Sequence, residues 1–178
     1  MPPQFSLAKS RNGGQQLQIR GEFQRPLWIP YLFSGLSNLR VSVIRGTATR
    51  AVTRDWDAAF DLDFSGCTRT PENIDYLALS EQQTPLASAP PTLSHFLITR
   101  RSDQSLEVVL QGPDQVGFLG QLLAKLSMLT LFPTELEIDT VAGQIRDRLV
   151  FLGIGGMPPN ESIEKSLEAL LQDLVAPQ

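Results

Sequence analysis

The chain has 178 residues, 42% of them hydrophobic, and a net charge of −4, with an isoelectric point near 5.0. That apolar fraction sustains a buried core and excludes disorder throughout, and the acidic balance excludes nucleic acid as the main partner, because phosphate binding needs a basic surface. Cys67 and His95 are each the only residue of their type, which excludes disulfide frameworks, thiolate zinc sites and Cys–His or Ser–His catalytic pairs.

Taken in order, the first predicted strands are 4–9 and 15–22, joined by a turn rich in Asn and Gly. A helix follows over 27–39, with Pro26 and Pro30 near its start, so the helix is expected to begin at Ile29 or Pro30. Strands 41–49 and 55–64 come next. A second helix is predicted over 70–80, with Thr70 as its cap and Pro71 at its first position. Residues 83–92 are rich in Pro, Ala and Ser and read as a linker between a first unit, 1–82, and a second, 93–178.

The second unit reads as strands 93–101 and 106–112, helix 117–129, strands 134–141 and 145–154, and helix 161–175 capped by Asn160 or Ser162. The last residues, 176–178, are expected to add no strand. Shifting this half back by 91 positions (112 − 21 = 91) places Gly112 on Gly21, Phe96 on Phe5, Val108 on Leu17, Leu110 on Ile19 and Phe151 on Phe60. The chain is therefore read as an internal duplication in one ungapped register. Each copy runs strand, strand, helix, strand, strand, helix. The predicted class is α+β, two ferredoxin-like repeats, each with an antiparallel sheet covered by two helices on one face and with the usual order permuted.

The most informative stretch is 105–129. Leu106, Val108 and Leu110 alternate along a strand, Gly112 and Pro113 break it, and Phe118, Leu119, Leu122, Leu123, Leu126 and Leu129 draw one apolar helix face. Asp114 is expected to cap that helix through its carboxylate. A helix N-terminus with free amides beside a glycine can hold a small anion.

The run Asp114-Gln115-Val116-Gly117-Phe118-Leu119, set between this strand and helix, resembles the opening of an ACT domain. The strands and helix after it continue that family's order. The resemblance implies a ferredoxin-like fold that binds an amino acid or another small effector where two domains meet, and that regulates an attached or partner protein. It assigns the ligand to Asp114, Gln115, Val116, Gly117, Phe118 and Leu119. In the first copy the turn reads Glu22-Phe23-Gln24-Arg25-Pro26-Leu27, with Pro26 aligned to Gly117, so one such turn per chain is expected.

The remaining candidates read as structure. Asp55, Asp57, Asp61 and Asp63 alternate on one strand face, but successive ones on a strand are about 6.5–7 Å apart, too far to share one cation; a solvated face is expected. His95 and Cys67 have no companions, and Trp28 and Trp56 read as core. In the second copy the outward set includes Leu97, Val109, Val150 and Leu152, a largely apolar face expected to be covered by a second chain or by the other repeat, with Asp55 and Asp57 opposite Arg146 and Arg148. The expected protein is a homodimeric regulatory module without catalytic activity, cofactor or metal, whose partners are a small effector and a regulated protein. The alternative is a structural protein that dimerises through its sheets and docks a partner. The N-terminus has no apolar segment of signal-peptide length, and the apolar stretch 118–132 is interrupted by Gln121, Lys125 and Ser127. No membrane association is expected, and a cytoplasmic location is the default.

Overall fold

The computed structural model describes residues 1–85 and 89–177. Its elements are β1 (Gln4–Lys9), β2 (Gln15–Gly21), α1 (Trp28–Asn38), β3 (Ser42–Arg50), β4 (Trp56–Asp63) and α2 (Tyr76–Glu81). The same order then repeats as β5 (His95–Arg100), β6 (Leu106–Pro113), α3 (Phe118–Ser127), β7 (Phe132–Val141), β8 (Gln144–Leu152) and α4 (Glu161–Leu174). All eight strands join one sheet in the order β1-β2-β4-β3-β7-β8-β6-β5, antiparallel at every pairing. Each half has the order a ferredoxin-like unit takes when its last strand comes first in the chain.

Period-two alternation decides which face is covered. Leu17 and Ile19 on β2, Ala58, Phe60 and Leu62 on β4, Val108 and Leu110 on β6, and Leu149 and Phe151 on β8 are all buried. They pack beneath Trp28, Ile29, Leu32 and Leu36 of α1, Leu122 and Leu126 of α3, and Leu167 and Leu171 of α4. The intervening strand residues are mostly polar and face away from the helices.

The halves meet edge to edge. β3 runs antiparallel to β7 from Arg45↔Asp139 to Thr49↔Glu135, and Arg45 Nε donates to Asp139 Oδ1 at 3.0 Å across the seam. Above it α1 and α3 lie side by side. Gly120 permits that approach, since a Cβ there would stand 2.8 Å from Ser34 Oγ and 3.2 Å from its backbone nitrogen.

The two halves repeat one element order, but not in a single ungapped register. The first hairpins align at 91, because Arg101 N bonds Ser105 O as Ser10 N bonds Gly14 O. The helices align at 90: Gln121 N bonds Gly117 O as Tyr31 N bonds Leu27 O (121 − 31 = 90). So do the third strands, whose irregularities fall at Val43/Arg45 and Pro133/Glu135 (133 − 43 = 90). The fourth strands align at 89, because Ile19 pairs Ala58 while Leu110 pairs Asp147 (147 − 58 = 89). The second half is one residue shorter before α3 and one shorter in the β7–β8 hairpin, both turns where length can differ without disturbing a core. Thr47 therefore pairs with its own counterpart, Glu137 (137 − 47 = 90). That is the register a twofold axis through the seam requires.

Several local expectations change. The 70–80 segment is a 3-10 turn, Pro71–Asn73, followed by α2, because Ile74 is extended; Asp75, not Thr70, supplies the cap by accepting from Ala78 N at 2.9 Å. Asn160 caps α4, accepting from Ile163 N at 2.9 Å. That helix ends at Leu174, and Val175, expected as its last residue, forms an isolated parallel bridge with Leu93. In the 83–92 linker, residues 86–88 lie outside the described residues.

The outward face of the second repeat is mixed: Leu97 stays 55% exposed beside Val109, and next to it lies an ion-pair lattice. Arg148 donates to Glu137 (3.2 Å), Glu107 (3.1 Å) and Glu135 (3.4 Å), and Arg101 donates to Glu135 (3.2 Å). Val150, paired with both Glu107 and Glu135, is only 2% exposed. The expected facing of Asp55 and Asp57 to Arg146 and Arg148 does not form, because the repeats join by their edges. Asp57 lies 3.7 Å from Arg20 and Asp55 3.3 Å from the Met1 amine.

Candidate ligand cavity between the repeats

The turn into α3 is held from three sides. Asp114 N donates to Gly143 O at 2.9 Å, tying the turn to the β7–β8 hairpin, and Phe118 N donates to Gln115 O at 3.0 Å. The Gln115 side chain accepts from Thr92 N at 2.7 Å and donates to Thr92 Oγ1 at 3.4 Å. The Asp114 carboxylate does not cap the helix. Gly117 occupies the cap position at φ 75°, ψ 6°, with no side-chain hydrogen bond. That left-handed conformation is one glycine adopts without the steric cost other residues carry. Among the described residues, no backbone bond is made by the N–H groups of Leu119 and Gly120, so the first turn of α3 presents free donors.

The counterpart of Gly117 is Leu27, not Pro26. Leu27 caps α1 at φ −90°, so the first repeat lacks the left-handed turn.

A cavity of about 560 Å³ opens at this turn. Asp114, Gln115, Val116, Gly117, Phe118 and Leu119 all line it, with Ile138 and Thr140 of β7 and Ile145 and Asp147 of β8. Its other wall comes from the first repeat: Phe33, Ser37 and Asn38 of α1, then Arg40, Val41 and Val43. The resemblance-assigned residues are thus gathered on one cavity, and the seam between the repeats completes it.

Sequence reading missed Asp147. It alternates inward with Ile145, Leu149 and Phe151, and a single acid in that buried row was the available signal. Its side chain is 2% exposed. Its Oδ1 accepts from Asp139 N at 3.3 Å, and none of the ion pairs among the described residues includes it. Burial pushes its carboxyl up to about 7, against the Asp139 N–H bond, with the charges of Asp114 and Asp139 adding to the rise.

The first repeat fills the equivalent space. Phe118, Ile138, Ile145 and Asp147 correspond to Trp28, Ala48, Trp56 and Ala58, all buried. Trp28 stacks on Phe23 with ring centroids 4.0 Å apart and meets Trp56 edge-on at 5.3 Å. In the second repeat two smaller side chains replace the tryptophans and a carboxyl replaces a methyl. The cavity is chemically suited to holding a small molecule between apolar walls, one buried acid and one helix N-terminus.

The remaining candidates are accounted for locally. Asp61 accepts from Gln16 (2.9 Å) and Asp63 from Ser65 N (2.9 Å), so the β4 carboxylates make separate contacts. His95 is exposed, and Cys67 is half-buried. Among the described residues no helix is long and apolar enough to cross a membrane.

No protein-family model and no curated protein matches the sequence. Among solved structures, the chain is similar to an aspartate kinase from Synechocystis, at 12% identity and a TM-score of 0.49 over 90% of this chain. The match spans 26% of the kinase chain.

Proposed function

We propose that this chain is a small-molecule-binding regulatory module without catalytic activity, and that its ligand is an amino acid held in the cavity between the repeats. One observation carries the reading: the ACT-like turn, assigned from sequence, lines a cavity that only the meeting of two repeats creates. The free amides at the start of α3 suit the ligand's carboxylate, and the apolar walls suit its side chain. A regulated protein partner belongs to the same reading. Self-association belongs to it as well: Leu97 is exposed on the outward face of the second repeat, and the open edges, β1 and β5, are where a second chain would add.

The test is a thermal-shift screen of the full chain against amino acids, nucleotides and simple anions. Binding to the folded state alone stabilises it by about 2.7 kcal/mol at a hundredfold excess over the dissociation constant. Ile145→Trp, which restores the tryptophan of the first repeat, should abolish any hit by filling the cavity. Silence across the amino acids would favour the alternative of an interaction scaffold.

A further inference from the structure

We infer that Asp147 is the residue that selects the ligand: it seats a protonated amine, so the cavity accepts amines and amino acids and refuses the matching carboxylic acids that lack the amine. The inference rests on the cavity being a ligand site, as proposed above, and adds which chemical group the site reads.

Three observations converge on it. Asp147 is buried on the cavity wall, and its one hydrogen bond, from Asp139 N, reaches only Oδ1. The charges around it supply no counterion: Asp139 on β7 is an acid already engaged by Arg45, and Asp114 at the turn is another acid. The basic group in the cavity wall, Arg40, is exposed to solvent and pairs with no carboxylate among the described residues. A buried carboxylate without a partner is costly, and a ligand ammonium removes that cost where a neutral or anionic group cannot.

The comparison between repeats makes the acid specific to this site. The sheet position is occupied by Ala58 in the first repeat, paired with Ile19 as Asp147 is with Leu110. The fold therefore does not need an acid there. The acid occurs only where the two tryptophans have given way to Phe118 and Ile145 and the cavity exists. The same argument gives one amine site per chain, because Phe23, Trp28 and Trp56 fill the mate.

The experiment is ligand-observed NMR on the full chain at about pH 8, above the value of about 7 for the Asp147 carboxyl. The probes are matched sets: leucine, isoamylamine and isocaproate; phenylalanine, phenethylamine and hydrocinnamate. The expected result is that in at least one set the amino acid and the amine bind tenfold or more tighter than the acid, and that Asp147→Asn erases the preference. Asp147→Ala, which copies the first repeat, should do the same and guards against a folding defect peculiar to asparagine. If an acid binds as well as its amine, or the preference survives both substitutions, the inference fails and the ligand cavity stands. If no probe binds but the thermal-shift screen finds a ligand without an amine, the inference again fails alone. Silence in both experiments overturns the inference and the proposed function together.

Discussion

Leu110 pairs with Asp147 across the second repeat as Ile19 pairs with Ala58 across the first, so the two repeats carry an acid and a methyl at one structural position. The acid has a consequence for stability that needs no ligand. Its native carboxyl titrates at about 7, against 3.8 for an ordinary aspartate. Below about pH 4 native and unfolded chains both hold the proton. Between pH 4 and 7 the unfolded chain releases it and the native chain retains it, so stability falls as pH rises, on the order of 4 kcal/mol at most from a shift of this size. Above pH 7 the loss is complete. Urea denaturation of the wild type and Asp147→Asn at pH 5 and pH 8 isolates the effect. The wild type should lose stability relative to the variant on going to pH 8; parallel curves would mean the carboxyl is already ionised at pH 5. Asp103, whose carboxyl is held down by the Ser105 hydroxyl and N–H, acts in the opposite direction and cancels in the comparison.

Gly117→Ala tests the turn itself. At φ 75° an alanine Cβ crowds the backbone, at a cost of about 1–2 kcal/mol. The folded chain should survive with a melting temperature a few degrees lower, while α3 shifts its first turn and amino-acid binding is lost. Unchanged binding by calorimetry would remove the turn from the ligand site.

Arg148 on β8 ties three strands together by pairing with outward carboxylates of the two neighbours: Glu107 on β6, and Glu135 and Glu137 on β7. Hydrogen bonds to Glu137 and Glu107 are the main effects raising its pKa, against partial burial. Its guanidinium is about a third exposed, so each pair contributes modestly. Removing it, however, leaves three carboxylates close together and uncovers Val150. Arg148→Met should destabilise by about 1–2 kcal/mol. The loss should shrink in 1 M salt, which screens the repulsion; a salt-independent loss would assign the effect to packing over Val150 instead.

What could be read from the residues follows from what is local. Strand alternation and helical spacing are properties of a few consecutive side chains, so the order ββαββα and the turn at 114–119 were legible. The inset of Gly117 needed only its neighbours. Asp147 was hidden because its meaning depends on strand pairing: Leu110 opposite it and Ala58 as its counterpart are set by a two-residue change of register that an ungapped alignment conceals. The cover over Val150 on the open face depends on strand pairing too. Val150 is apolar in sequence, but Arg148 and the glutamates beside it come from three strands and make that surface charged.

Trp28 shows how far one repeat predicts the other. Its ring is 1% exposed and stacked on Phe23 at 4.0 Å, yet among the described residues its Nε1 has no hydrogen-bond partner. An orphaned buried donor costs about 1–3 kcal/mol, against which the indole's extra burial and aromatic contacts must be set. The counterpart in the second repeat is Phe118, 4% exposed (28 + 90 = 118), so phenylalanine already fits this helix position. Trp28→Phe therefore exchanges lost packing for a lost orphan and should stay within about 1 kcal/mol of the wild type, whereas Trp28→Ala should cost about 3–5 kcal/mol by leaving a cavity beside Trp56. Urea denaturation measures both. A loss for the phenylalanine variant as large as for alanine would show that the indole N–H is satisfied by a bound water that the smaller ring cannot hold.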